Sequence, residues 1–372
     1  MVPQQPDERK QFSERRPVEA SRRMAREARR RIELVASRLP RAPFRKSVAA
    51  PTVADRVVVI SDTHIGDPFE VLTSHRAIDA LTQAINGLGR IDELVLLGDI
   101  FDFWQAPVAE VLAKSRDLMA ALFSLENVGR MVYLPGNHDH HVCRVYHAEQ
   151  LAKRLRDGNL EPPELRIPLT ADCPFIDSIR PEGAKVPFQM VYPVHQVTVQ
   201  GREVLFTHGH LLGFFERSLW HPRRSVVATL LLSKSENLGL EDMERFVSPF
   251  YEMLALSASV PGVTSGGYRL YRLLSRTGKA LGMQGESRAS AYRNTTVEEN
   301  AAEIEALLDH LCPEKPEYFI YGHTHRAGRL TLPVSGATAI NSGCWLAGAA
   351  SDHAGNTLVQ IADEARLVRV EL

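Results

Sequence analysis

Five short polar motifs each follow directly on an apolar, β-rich run: Asp62-Thr63-His64, Gly98-Asp99, Gly136-Asn137-His138-Asp139, Thr207-His208-Gly209-His210 and Gly322-His323-Thr324-His325. This arrangement constrains the fold more than any other feature of the chain. In α/β folds the carboxyl ends of the strands open onto loops and collect ligands. Asp62, Asp99, Asn137, His208 and His323 all come within three residues of a strand run, so side chains 37 to 115 positions apart can converge on one edge.

The runs themselves are short and rich in Val, Ile and Leu, as strands covered on both faces must be. Arg56–Ile60, Glu93–Leu97 and Met131–Leu134 alternate with helical periodicity over Val71–Leu88, Val108–Leu125 and Val142–Leu155. This βαβαβ order predicts a core of parallel strands. His195–Gln200 and Glu203–Thr207 flank Gly201-Arg202 and read as a hairpin. Thr296–Leu311 reads as a helix and Tyr318–Tyr321 as a buried strand. Arg329–Leu332, Ala337–Asn341, Thr357–Ile361 and Leu367–Val370 read as an antiparallel meander. Parallel units first and a meander last suggest an α/β fold with two sheets face to face and helices outside.

The motifs supply two Asp, one Asn and four His: Asp62, His64, Asp99, Asn137, His208, His323 and His325. That set is too large for one ion, and its mixture of imidazole, carboxylate and amide suits Mn, Fe, Zn or Co. One carboxylate is expected to bridge two ions. Alternation along an extended segment would let Asp62 and His64 serve one ion, and His323 and His325 likewise. Two ions about 3.5–4 Å apart can clamp a phosphate and acidify a bridging water, whose hydroxide attacks phosphorus in line. His138 follows Asn137 directly and is spare, so it is a candidate general acid. Asp102, three residues after Asp99, could orient that imidazole. Asp139 is a candidate for supporting the site or capping the next helix. His140 and His141 are expected at the surface at a helix start. His210 could touch substrate or fill a hydrogen-bonded structural role. Asn341-Ser-Gly-Cys-Trp345 could border the site or serve turn and core packing.

Taken together, D-x-H, G-D-x-x-D, G-N-H-D, a later His segment and G-H-x-H resemble the calcineurin-like metallophosphoesterase superfamily, in order over about Ala54–Leu372. The resemblance implies a four-layer αββα metallophosphoesterase sandwich and two divalent metal ions, with Mn favoured over Fe or Zn. It assigns Asp62, His64, Asp99 and His325 to one ion, and Asp99, Asn137, His208 and His323 to the other, with Asp99 as bridge. It gives His138 and Asp102 the catalytic roles proposed above. Gly98-Asp-Ile-Phe-Asp-Phe-Trp104 and Gly-His-Thr-His-Arg326 also look like the UDP-2,3-diacylglucosamine hydrolase branch, whose members cleave a lipid-linked pyrophosphate at a membrane surface. The chain departs from that branch in carrying His138 where its best-known members carry Arg, and in having a longer insertion.

Charge divides the chain. Of the 44 Lys and Arg and 45 Asp and Glu, residues 9–46 hold 14 basic and 4 acidic, leaving a body of net −11. Residues 1–55 read as a basic arm, in which Ser21–Leu39 has one apolar stripe of Met24, Ala28, Ile32, Val35 and Leu39 at helical spacing. Residues 56–210 and 296–372 read as the two parts of a metallophosphoesterase core. Between them, 211–295 is too long for a loop and reads as a helical cap, with 11 basic and 7 acidic residues in 211–294. Within it Arg217, Arg223 and Arg224, with His210 and Arg326 at its borders, are candidates for substrate phosphates. The expected partner is a phosphorylated small molecule or lipid. The arm and cap are candidates for peripheral contact with an anionic membrane surface. An acidic body argues against a nucleic-acid track. Cys143, Cys173, Cys312 and Cys344 have no C-x-x-C spacing, and no run approaches ~18 apolar residues. A reducing cytoplasm is the simplest setting.

Overall fold

The computed structural model of the chain describes residues 52–161, 163–214, 240–260, 295–312, 314–347 and 355–372. The expected helix at Ser21–Leu39 and residues Arg217, Arg223 and Arg224 lie outside them.

The first described element is β1 (Thr52–Ala54), three residues that the reading of 1–55 as an arm had left outside the core. The chain continues through β2 (Val57–Ile60), α1 (His75–Asn86), β3 (Ile91–Leu96), α2 (Val108–Phe123), β4 (Val128–Tyr133), α3 (His141–Arg156), β5 (Ile167–Thr170), α4 (Pro174–Ile179) and β6 (Phe188–Tyr192). The hairpin β7 (His195–Val199) and β8 (Arg202–Phe206) follows, with a short 3-10 turn at His210–Phe214. Then come α5 (Leu240–Ala258), α6 (Ala301–Leu311), β9 (Tyr318–Tyr321), β10 (Gly328–Thr331), β11 (Thr338–Asn341), β12 (Thr357–Ile361) and β13 (Ala365–Arg369). The helix expected from Thr296 begins at Ala301; residues 297–300 form a turn.

Two sheets result, ordered β1-β7-β8-β9-β11-β10 and β13-β12-β2-β3-β4-β6-β5. The strands β2, β3, β4 and β6 are mutually parallel, as the βαβ order predicts. The last four strands are not one meander. β10 pairs antiparallel with β11 in one sheet, and β12 with β13 in the other. Apolar patterning marks these strands but cannot say which sheet each joins, because both sheets bury both faces.

That double burial is visible residue by residue. Val57, Val59, Val95, Leu97 and Val132 face Val197, Val204, Phe206 and Ile320 in a cluster between the sheets. The alternate residues Val58, Ile60, Leu94, Leu96 and Tyr133 pack outward on Leu81, Val111, Leu122 and Phe175 of the helices. On the other side Leu205, Phe319 and Tyr321 pack on Ile304, Leu307 and Leu308 of α6. The layers are therefore helix, sheet, sheet, helix, and each strand's period-two alternation divides between two hydrophobic cores. α5 reaches both outer layers, with Met243 in the cluster on the six-stranded sheet and Ala255 in that on the seven-stranded sheet. No helix among the described residues is long and apolar enough to cross a membrane.

A buried carboxylate–imidazole link crosses the sheet interface. Glu93 of β3 is buried, with Oε2 2.8 Å from His195 Nε2 of β7 and its other oxygen paired with Arg130 of β4. Burial raises the Glu93 pKa, but His195 and Arg130 outweigh it and hold the carboxyl below its ordinary value. A depressed folded-state pKa stabilises the fold above the ordinary glutamate range and loses that contribution as pH falls through it. Glu93→Ala should cost about 3 kcal/mol in urea unfolding at pH 7, because it strands His195 between the sheets. The difference between wild type and variant should shrink as the pH is lowered toward 4.

Candidate metal centre

Backbone geometry singles out the motif residues before their side chains are considered. Asp62, His64, Asp99, His323 and His325 have φ of 51°, 46°, 50°, 65° and 58°. Left-handed backbone is uncommon outside glycine and costs free energy unless the surroundings enforce it. The only other non-glycine residues of this kind among the described residues are Gln200 and Asn356. The motifs are thus kinks rather than the extended segments that alternation implied. The kink at 62–64 is braced against its neighbour: Asp62 N–H donates to Gly98 O at 3.0 Å, and His64 N–H to Asp99 O at 2.9 Å.

The kinks gather the side chains into two groups that share Asp99. Asp62, His64, Asp99 and His325 bring ligand atoms within 4.8 Å of one another, and so do Asp99, His208 and His323. His323 and His325 therefore fall in different groups. Consecutive left-handed turns around Thr324 aim them apart, where an extended Gly-His-Thr-His would have aimed them together. A third group, His64, Asp102 and His138, overlaps the first at His64.

Ring orientation is set by acceptors behind each imidazole. Asp102 Oδ2 lies 3.1 Å from His64 Nδ1, and its Oδ1 lies 2.9 Å from His138 Nδ1. Leu97 O lies 3.0 Å from His208 Nδ1. A carboxylate or carbonyl oxygen only accepts, so all three rings carry hydrogen on Nδ1 and turn Nε2 toward the site, the arrangement typical of metal-binding histidines. His64 Nε2 and His325 Nε2 face each other at 3.0 Å, and His208 Nε2 lies 3.0 Å from Asp99 Oδ2.

Close approach requires two of the motif glycines. A Cβ at Gly136 would collide with Asp99 Oδ1, and one at Gly322 with Asp62 Oδ2 and Ser61 Oγ. Asp99 Oδ1 accepts from His138 N–H at 2.8 Å, and Asp62 Oδ1 from His323 N–H at 3.0 Å. Asp139 does not cap α3. Its carboxylate accepts from Gly136 N–H at 2.5 Å and Ile100 N–H at 2.8 Å, tying the second and third motifs together. Asn341 braces the fifth, donating from Nδ2 to Gly322 O at 2.7 Å and Thr324 Oγ1 at 2.9 Å.

The residues present fit divalent cations. Asn137 Oδ1 is buried and accepts no hydrogen bond, although both its neighbours approach Asp99. A buried carbonyl without a donor is costly and calls for an explanation such as an ion. Charge points the same way. Burial lowers the pKa of His64, but the bond to Asp102 and the charges of Asp99, Asp102 and Asp62 outweigh it and raise the value to about 9. Burial likewise opposes Asp99 and Asp62 at His208, which ends raised to about 10. The carboxylates thus draw protons onto His64 and His208, whose Nε2 atoms lie 3.0 Å from His325 Nε2 and from Asp99 Oδ2, and a cation could replace those protons.

Several placements were not legible in the sequence. His140, expected at the surface, is 3% exposed and faces Glu244 of α5; His141 is half-buried, with Nδ1 3.0 Å from Glu252. The short polar stretch before α3 conceals that α5 covers it. His210 is buried, with Nε2 3.0 Å from Glu244 Oε1 and 3.2 Å from Tyr192 Oη, the hydrogen-bonded role rather than an open one. Arg326 is exposed. Trp104 stacks on His138 with ring centroids 3.8 Å apart. Glu244 had no motif around it to announce it.

Uptake of Mn²⁺ by the metal-free chain should release about two protons at neutral pH, since His64 and His208 carry an extra proton below their raised values. Calorimetry in buffers of different ionisation enthalpy measures this, and apparent affinity should rise with pH.

A profile for the family described as calcineurin-like phosphoesterase matches residues 55–327. No curated protein matches in sequence. Among solved structures, a dimetal phosphatase from Danio rerio aligns at 16% identity over 87% of this chain and 100% of its own, with a TM-score of 0.37. A Vps29 single mutant from Entamoeba histolytica aligns at 12% identity over 85% and 99%, with a TM-score of 0.30. Likenesses this remote add no argument. The profile spans most of the chain and all five motifs, and the chain therefore belongs to the calcineurin-like phosphoesterase family, the metal-dependent phosphoesterases.

Proposed function

We propose that the chain hydrolyses a phosphate ester or pyrophosphate with two divalent metal ions, one held by Asp62, His64, Asp99 and His325 and the other by Asp99, Asn137, His208 and His323. The observation that carries this reading is Asp99, the one carboxylate common to two groups of converging ligand atoms. When bound, such a pair supplies Lewis acidity to the phosphoryl oxygens and a water acidified toward neutrality. In this reading 56–210 and 296–372 form the catalytic core, 211–295 is a cap, and 1–55 is an appended arm apart from β1. Mn is the favoured ion, with Fe and Zn as alternatives of the same ligand chemistry.

His138 has the geometry of a proton donor to the departing oxygen. Asp102 fixes its Nδ1, and Trp104 covers one face of the ring. Asp102 also holds His64, so one buried carboxylate sets the angle of an acid and of a ligand together. Asp99→Ala should abolish turnover of bis-p-nitrophenyl phosphate with Mn²⁺. His138→Gln should lower kcat about 100-fold on a diester with a poor alkyl leaving group while both ions still bind. Absence of turnover across Mn, Fe, Zn and Co with ions bound would leave a metal-containing interaction module instead.

A second reading, a lipid-linked pyrophosphate of the UDP-2,3-diacylglucosamine type cleaved at a membrane surface, is favoured by α5. Phe250, Met253 and Leu256 stand 55%, 55% and 57% exposed on it. Met253 and Leu256 line a groove of about 510 Å³ with Arg144, a combination suited to an acyl chain beside a phosphate. Replacing Phe250 and Leu256 together by Ser should raise KM for an acylated pyrophosphate several-fold and leave turnover of the small diester unchanged.

A further inference from the structure

Glu244 enters the fold from the insertion and is 3% exposed. Its Oε1 lies 3.0 Å from His210 Nε2, and its Oε2 lies 3.7 Å from His140 Nε2. Those histidines are themselves 4% and 3% exposed, and they belong to different core loops. His210 stands two residues after His208, and His140 three after Asn137. Tyr192 Oη lies 3.2 Å from His210 Nε2 and completes the cluster from the end of β6. Two turns further along α5, Tyr251 sets its ring at 5.6 Å from His140, 5.8 Å from His210 and 5.6 Å from Trp104, which in turn stacks on His138.

A buried carboxylate needs partners, and here the hydrogen-bonded His210 and the longer contact to His140, whose facing Glu244 oxygen accepts no hydrogen bond, come from two different loops. We propose that Glu244 is a positioning residue: by joining His140 to His210 it fixes the spacing of the Asn137 and His208 loops, so that the insertion helix forms part of the second metal site rather than merely covering it. The inference rests on the proposed function for what those loops hold, and on the contacts alone for how they are held. Glu252, on the same helix, pairs with the half-buried His141 and provides the control.

The test compares full-length wild type, Glu244→Gln, Glu244→Asp and Glu252→Gln. Titration with Mn²⁺ alone should show one of the two ions bound about tenfold more weakly in Glu244→Gln, with the other unchanged. Glu244→Asp should recover part of the loss, and Glu252→Gln should bind both ions as wild type does. Amide exchange of the metal-free proteins should rise several-fold in segments 136–142 and 207–212 for Glu244→Gln and not for Glu252→Gln. Unchanged Mn²⁺ affinities, equal weakening of both ions, or exchange that rises equally in both variants would overturn the proposal. The exchange arm needs no turnover and no metal. Should the wild type bind fewer than two ions, the proposed function fails by itself, and the exchange comparison still decides whether Glu244 ties the loops.

Discussion

Asp62, Asp99 and Asp102 are all fully or almost fully buried within one pocket at the strand ends. Carboxylates so placed repel one another in a medium that screens poorly, and the fold tolerates them only with positive charge among them. Much of the surrounding structure serves that requirement. Four imidazoles are aimed inward, backbone N–H groups of His138 and His323 donate to the carboxylates, and glycines clear the space they occupy. Five residues adopt left-handed backbone that hydrophobic packing alone would not select.

The sandwich supplies the rigidity for this. Strands buried on both faces cannot slide without exposing a row of side chains, so their ends stay where packing puts them. The first three motifs end strands or loops of the seven-stranded sheet, whereas His208 and His323 follow β8 and β9 of the other. The Glu93–His195 link and the shared apolar cluster therefore bear on the site although they lie away from it, because they hold the two sets of loops in register.

Much of this was legible in the sequence for physical reasons. Val57–Ile60 and Ile91–Leu96 are short apolar runs whose composition leaves few alternatives to a buried strand, and the motif after each is polar where a strand end must be. The last four strands were found but wrongly grouped, since an apolar run records burial and not which neighbour provides it. The converging side chains were singled out together, and alternation alone would pair His323 with His325 because it implies extended backbone, whereas the family resemblance assigned them to different ions. The burial of His140 and the role of Glu244 escaped the reading for a different reason. Each is polar, and each is buried against an element far from it along the chain. Residues of that kind have no local signature, and only tertiary structure brings them together.

The order of the strands has a consequence for how such a protein comes into being. β9 lies between β8 and β11, and its motif is the last of the five to be synthesised. A nascent chain that has produced everything through His208 holds the buried carboxylates and His64 and His208, but neither His323 nor His325. Until β9 slots in beside β8, the acidic pocket lacks half its imidazoles and one of its walls. An unfinished chain is thus kept chemically silent by its own topology: the reactive centre is assembled by the same event that closes the second sheet.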